Sequence, residues 1–188
     1  MKVAGEIIHE VLGHGVTVYL FGGIITRVHI ALLWPYKLSY IHFKPPIGGF
    51  TPWELIWIYA SGILACLILS IILQITLHLR FLGWRVSTTL FWLSFWTYVN
   101  PAGYLIMGGV KPFGDIIMLI NLGALSQASS LLLGLTVFLP GLLSLSKILY
   151  GLLINVGVVK VKECIICFWL LLIPGLLLIA ALGLHMWF

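Results

Sequence analysis

Three stretches of the chain, residues 86–110, 116–146 and 164–188, contain no Asp, Glu, Lys or Arg, and a fourth, 52–77, contains only Glu54 near its start. A helix needs about 20 mostly apolar residues to cross the hydrocarbon of a bilayer, so these four stretches predict membrane helices. The rest of the composition agrees. Of 188 residues 62% are hydrophobic and 8% charged, whereas a soluble domain averages roughly 25% charged residues. That excludes a soluble globular domain, a disordered tail and a nucleic-acid binder, and leaves residues 1–188 as one membrane domain. Ten basic residues against five acidic ones read as loops facing anionic headgroups. The five acids, Glu6, Glu10, Glu54, Asp115 and Glu163, are so few that each needs a reason.

Residues 115–158 are too long for one upright helix, and Gly123, Gln127 and the Pro140-Gly141 pair offer breaks. They predict a short helix from Asp115 to about Leu122, followed by one long or two short segments across 128–158. Residues 3–22 are apolar enough to span, yet hold Glu6, His9, Glu10 and His14. Acids and histidines interrupt what would be the apolar core of a signal peptide, which points to a membrane helix built around a polar site. Between residues 23 and 49, Val28, Ile30 and Leu32 alternate with Arg27, His29 and Ala31. Trp34-Pro35-Tyr36-Lys37 then supplies a turn before Leu38–Phe43, a β-hairpin pattern. The expected fold is an all-α polytopic membrane protein of five or six transmembrane helices, with a small β-hairpin after the first.

Ionisable groups at membrane depth are costly and usually face a bundle interior where they serve function. Four of them fall within nine residues as Glu6-Ile7-Ile8-His9-Glu10-Val11-Leu12-Gly13-His14. The pattern HExxxH resembles the zinc-protease signature HExxH, in which two histidines share a helix face and the Glu is general base. One residue is extra. On a regular helix of 3.6 residues per turn, positions five apart diverge by about 140°. A π-bulge, bonded i to i+5, brings them back together, and Gly13 is a plausible site for it. The soluble zinc-peptidase family of dipeptidyl peptidase III has the similar motif HELLGH, so this spacing is compatible with a zinc site. Glu6-x-x-His9 also fits half of a di-iron carboxylate site, and His9 with His14 fits the histidine boxes of membrane desaturases. No second box of either type occurs.

From the Gly-His that closes the motif onward, the chain resembles the site-2 protease family of intramembrane zinc metalloproteases, and its small prokaryotic branches above all. Gly22-Gly23 and the hairpin-like 24–43 resemble the β-structured segment after that family's zinc helix. Ala60-Ser61-Gly62-Ile63-Leu64-Ala65 resembles the small-residue motif opening its next core helix. Asn100-Pro101 and, after Gly108–Gly114, Asp115 resemble its Asn and Pro loop leading to the Asp that completes the zinc site. The resemblance implies a multi-pass enzyme of the prokaryotic cell membrane that cleaves membrane proteins or peptides. It assigns Zn²⁺ to His9, His14 and Asp115, the general base to Glu10, and contact with substrate to Asn100.

Catalytic zinc takes three protein ligands plus water, and the other acids supply few competitors for the third place. Glu54, beside Trp53 and Trp57, and Glu163, beside Lys162, both lie at span edges. Asp115 reads as that third ligand ahead of the alternative of a helix cap, and His29 and His42 are the next candidates for a ligand. Asn100-Pro101 reads either as a kink in a helix or as an unwound approach to the site. Cys164-x-x-Cys167 has no partner pair and reads as reduced packing residues, as does Cys66. Two rivals stay open: a membrane metalloenzyme of other chemistry, such as a lipid or amide hydrolase or an iron oxidase, and a non-catalytic ion or proton transporter.

Overall fold

A computed structural model describes residues 1–31 and 39–187, with side chains as far as Leu178. The turn expected at Trp34–Lys37 lies outside the described residues. Helix α1 (Lys2–Ile7), a π-helical segment (Ile8–Gly15) and α2 (Val16–Leu20) follow one another with helical dihedrals at each junction, forming one rod. Strands β1 (Ile24–His29) and β2 (Tyr40–Lys44) then pair antiparallel, His29 opposite Tyr40 and Ile24 opposite Lys44, with an irregularity between Ile25 and Arg27.

Four long helices and one short one complete the chain: α3 (Pro52–Leu79), α4 (Trp84–Val110), α5 (Gly114–Asn121), α6 (Gln127–Asn155) and α7 (Val161–Trp187). Helix α3 begins where Thr51 and Glu54 satisfy each other's exposed amides. Glu54 Oε2 accepts from the Thr51 N–H at 2.7 Å, and the Glu54 N–H donates to Thr51 Oγ1 at 3.3 Å. This is a capping box, with Pro52 in the first turn where its missing N–H costs nothing. Glu54 is thus a helix cap rather than only an interfacial residue. Helix α4 runs unbroken through Asn100-Pro101, which removes the unwound alternative. Pro140 likewise sits inside a single helix, so 128–158 holds one long segment.

Among the described residues, three helices are long and apolar enough to cross a membrane: α3, α6, and α7 from Val161 to Leu178. A fourth crossing arises if α4 and α5, bent by 57°, count as one. That is three to four, against the five or six expected. The first rod is divided into three segments by its change of winding, and 128–158 holds one long helix, α6, the first of its two expected alternatives, after the short α5.

The main core lies where α4 meets α6. Phe91, Phe95, Tyr98 and Ala102 pack with Leu145, Ile148 and Leu152, and Trp92, Trp96 and Trp169 close around them. A second cluster, Ile63, Leu105, Ile116 and Leu119, joins α3, α4 and α5. Polar contacts lock the same helices. Ser70 Oγ donates to the Ser94 carbonyl at 3.0 Å, and Ser130 Oγ donates to that of Leu105 at 2.8 Å. Between membrane helices, small residues and hydroxyl bonds of this kind hold where no hydrophobic drive exists.

Phe95 is fully buried and touches the rings of Trp92, Trp96 and Trp169 at centroid distances of 5.5, 5.4 and 6.3 Å. Phe95→Ala is expected to cost about 3–5 kcal/mol through the cavity it leaves. Reversible unfolding in mixed micelles measures this, and a loss below about 1 kcal/mol would show that the α4–α6 core is not packed as described.

Candidate metal centre

The extra residue in HExxxH is absorbed by the winding of the helix that carries it. From Ile8 to Gly15 the rod is π-helical, with the Val16 N–H bonded to the Val11 carbonyl five residues back. Residues five apart then stack on one face, which an α-helix does not allow. His9 and His14 therefore meet: their Nε2 atoms are 3.1 Å apart and their rings stand edge to face at 4.8 Å. Both are buried.

Asp115 arrives from the other side of the molecule. Gly114 adopts φ +52 at the start of α5, a left-handed conformation that glycine takes without steric cost. Beyond it Asp115 Oδ2 lies 3.0 Å from His9 Nε2 and 3.2 Å from His14 Nε2. The side chain therefore reaches the histidines and does not cap α5, whose N-cap residue, Phe113, makes no side-chain capping bond. His9, His14 and Asp115 form the group of described residues that could hold a metal ion.

The donor chemistry fits a cation. His14 Nδ1–H donates to the Ile58 carbonyl at 2.6 Å, so in the neutral ring the lone pair lies on Nε2. A carbonyl fixing the tautomer in this way is the usual support of a metal-bound histidine. Asp115 Oδ2 is also an electron-pair donor, and a single proton on His9 Nε2 satisfies only one of the two. Three such atoms at 3.0, 3.1 and 3.2 Å from one another repel unless positive charge, further protons on the histidines or a bound cation, lies among them. Ligands on a tetrahedral zinc at about 2.0–2.1 Å stand about 3.3 Å apart, close to the observed triangle. His9 Nδ1 is buried with no hydrogen-bond partner. Ring packing, with Tyr104 at 5.5 Å, flanks His9 instead.

Glu6, one turn before Glu10, bonds to neither histidine. Its carboxylate lies 3.5 Å from the Lys2 ammonium, which also donates to the Ala31 carbonyl at 3.0 Å and so ties the rod to the end of β1. Glu10, by contrast, is 4% exposed and lines a cleft of about 540 Å³ with His14 and Asp115. It makes no hydrogen bond or ion pair with any described residue. The cleft's far wall is the hairpin, through Arg27, His29 and Tyr40. His29 is thus in the cleft but outside the triad, and His42 is exposed on β2. Asn100 is not in this cleft. It lines a second, mostly apolar cavity of about 320 Å³, together with Lys2, Glu6 and the α4, α6 and α7 side chains. Cys66 is buried, whereas Cys164 and Cys167 are exposed on α7 and do not pack.

Sequence reasoning missed two tyrosines. Tyr59 and Tyr104 line the cleft, and Tyr104 borders the apolar cavity as well. Nothing in a local pattern marks them, because each reaches the site from a different helix.

The whole assembly depends on two glycines. A Cβ on Gly62 would sit 2.6 Å from His14 Nε2 and 2.8 Å from His9 Cε1, and one on Gly13 would sit 2.5 Å from the Gly62 Cα. The small-residue run Ala60–Ala65 therefore serves to admit the histidine rings against the α3 backbone. No family model, curated protein or solved structure matches the chain. Gly62→Ala is expected to push both rings from their places and to weaken the binding of an added divalent metal ion at least about tenfold, the scale seen when a ligand's support is lost. Equilibrium dialysis, with circular dichroism to confirm the helices, measures it. Unchanged affinity would show that the rings do not sit on Gly62.

Proposed function

We propose that the protein is an intramembrane zinc metallopeptidase that hydrolyses peptide bonds of membrane-embedded substrates, held in a prokaryotic cell membrane. The observation that carries this reading is the convergence of His9, His14 and Asp115, the last two lining one cleft with a buried Glu10 that has no hydrogen bond or ion pair among the described residues. Five crossings follow if the rod from Lys2 to Leu20 spans along with α3, the α4–α5 pair, α6 and α7.

Bound zinc supplies Lewis acidity, which lowers the pKa of water and polarises a carbonyl. The chain's residues supply the rest. Glu10 takes a proton from the attacking water and passes it to the leaving amine, as general base and then general acid. A buried carboxylate without a partner is costly, and proton transfer is a function that repays the cost. The Ile58 carbonyl holds His14 in the tautomer that offers Nε2 as a ligand. A helical substrate hides its carbonyls in hydrogen bonds and must unwind before attack. The two-stranded sheet beside the cleft offers an edge on which the unwound segment pairs as a further strand. Asn100 takes no part at the reacting atoms in this scheme, since it lines the other cavity.

Two histidines and one carboxylate also suit non-haem iron, which is why an oxidase is the second reading. Glu10 favours hydrolysis, because a base in the cleft is useful for activating water.

Glu10→Gln is expected to keep one zinc per chain and to lose about 10²–10⁴-fold in cleavage of labelled transmembrane peptides in nanodiscs, the usual worth of a general base. Chelation removes the remaining activity and added zinc restores the parental protein. Purified protein without zinc, or E10Q cutting at the parental rate, is the result that sinks the proposal. Iron in place of zinc supports the oxidase, and loss of ion flux in E10Q supports a transporter.

A further inference from the structure

The hairpin wall of the cleft carries a charge that the hydrolytic scheme does not use. Arg27 and His29 are two residues apart on β1, hence on one face of the strand, and both line the cleft. Their cross-strand partners are His42 and Tyr40. The His29 ring stacks on Tyr40 at 5.0 Å with planes 25° apart, and Tyr40 meets the His42 ring edge to face at 4.8 Å. The stack fixes the plane of the His29 ring and leaves its edge nitrogens without a hydrogen bond among the described residues. Arg27 has no carboxylate within ion-pair distance there either, since the described pairs are Lys2 with Glu6 and the two histidines with Asp115. An unpartnered guanidinium in a cleft wall is a ready-made fork for a planar anion, with its donors set at the spacing of two carboxylate oxygens.

The charge balance points the same way. Glu10 and Asp115 are the acids lining the cleft and Arg27 its permanent cation. With a divalent ion on the triad, the two carboxylates offset the metal and Arg27 leaves the cleft one charge positive. Arg27 is exposed on the wall of the cleft, and a cleft of this net sign attracts anions. Its volume of about 540 Å³ falls within the range of small-ligand sites and holds more than the atoms of one peptide bond.

We infer that the cleft selects substrates bearing a carboxylate next to the scissile bond, an acidic side chain or a free chain terminus, held by the Arg27 guanidinium with the His29 ring N–H beside it. This rests on the zinc reading above and deepens it to a substrate class.

The test uses binding and needs no known substrate. Two peptidyl hydroxamates, identical except that one arm ends in a carboxylate and the other in a carboxamide, are titrated calorimetrically into the zinc-loaded full-length protein in phosphatidylcholine nanodiscs. The acid-armed probe is expected to bind about tenfold more tightly, the worth of one charge-assisted pair. Arg27→Gln is expected to bring that ratio near one and Arg27→Glu to invert it. Arg27→Lys keeps the charge without the fork, gives an intermediate ratio, and serves if R27Q does not fold. Equal affinities in the parent, or a ratio that survives R27Q, overturns the inference while leaving the zinc reading intact. A preference that vanishes in phosphatidylglycerol nanodiscs also overturns it, because Arg27 is then held by lipid headgroups. If neither hydroxamate binds, the zinc reading itself falls, and this inference with it.

Discussion

The approach of the first helical rod to α3 at Gly13 and Gly62 is the contact on which the site depends. Two histidine rings and a carboxylate cannot be buried in an apolar bundle unless something satisfies them, and the cost of leaving even one polar group bare there is several kcal/mol in order of magnitude. With no Cβ at either position, the rod lies close enough for His14 to give its Nδ1–H to the Ile58 carbonyl at 2.6 Å. The same closeness lays the His9 and His14 rings over Gly62. The Ile58 carbonyl also accepts from Ser61 Oγ at 2.7 Å, so one carbonyl of α3 anchors both its own helix and a ligand from the neighbouring one. Close packing and site geometry are here a single fact.

Much of this was legible in the sequence, and the reason differs from feature to feature. The long helices were readable because an apolar run free of charge has few other ways to satisfy its backbone in lipid. The π-winding was readable because two histidines five apart make geometric sense only with i to i+5 bonding, and the rod has it from Ile8 to Gly15. Asp115 was readable as a ligand candidate because so few acids existed to choose among. What failed was anything decided by tertiary neighbours. Glu6 sits one turn before Glu10, yet its partner is Lys2, a pairing that spacing alone cannot rank above a histidine. Asn100 stands beside a proline that offered an unwound approach, but α4 continues through Pro101 and carries it to another cavity. Tyr59 and Tyr104 carried no pattern at all.

The helix through Pro101 also explains why the chain needs a separate short α5. A proline inside a membrane helix removes one ladder bond but leaves the direction of the chain largely intact, so it cannot turn a residue back toward the first rod. The change of direction occurs later, at Lys111–Gly114, where α4 ends and α5 departs at 57°. Ile116, fully buried in the second cluster with Leu105 and Ile63, holds α5 in that direction. Asp115 is thereby fixed from one side by apolar packing and presents its carboxylate from the first turn of the helix, where the positive end of the backbone dipole favours a negative charge.

Glu6 and Glu10 show how winding assigns different roles to the same side chain. Both belong to one rod, four residues apart, and on an uninterrupted α-helix they would share a face. The change to π-winding falls between them, at Ile8. Glu6 stays with the α-helical face that Lys2 occupies and borders the apolar cavity, while Glu10 lies in the cleft with His14 and Asp115. The separation matters energetically. Glu10 and Asp115 already share the cleft, so a third carboxylate there would add like-charge repulsion, and a lysine within reach of Glu10 would hold it in an ion pair. With Glu6 and Lys2 paired to each other, Glu10 stays outside any ion pair among the described residues, in the cleft that His14 and Asp115 also line.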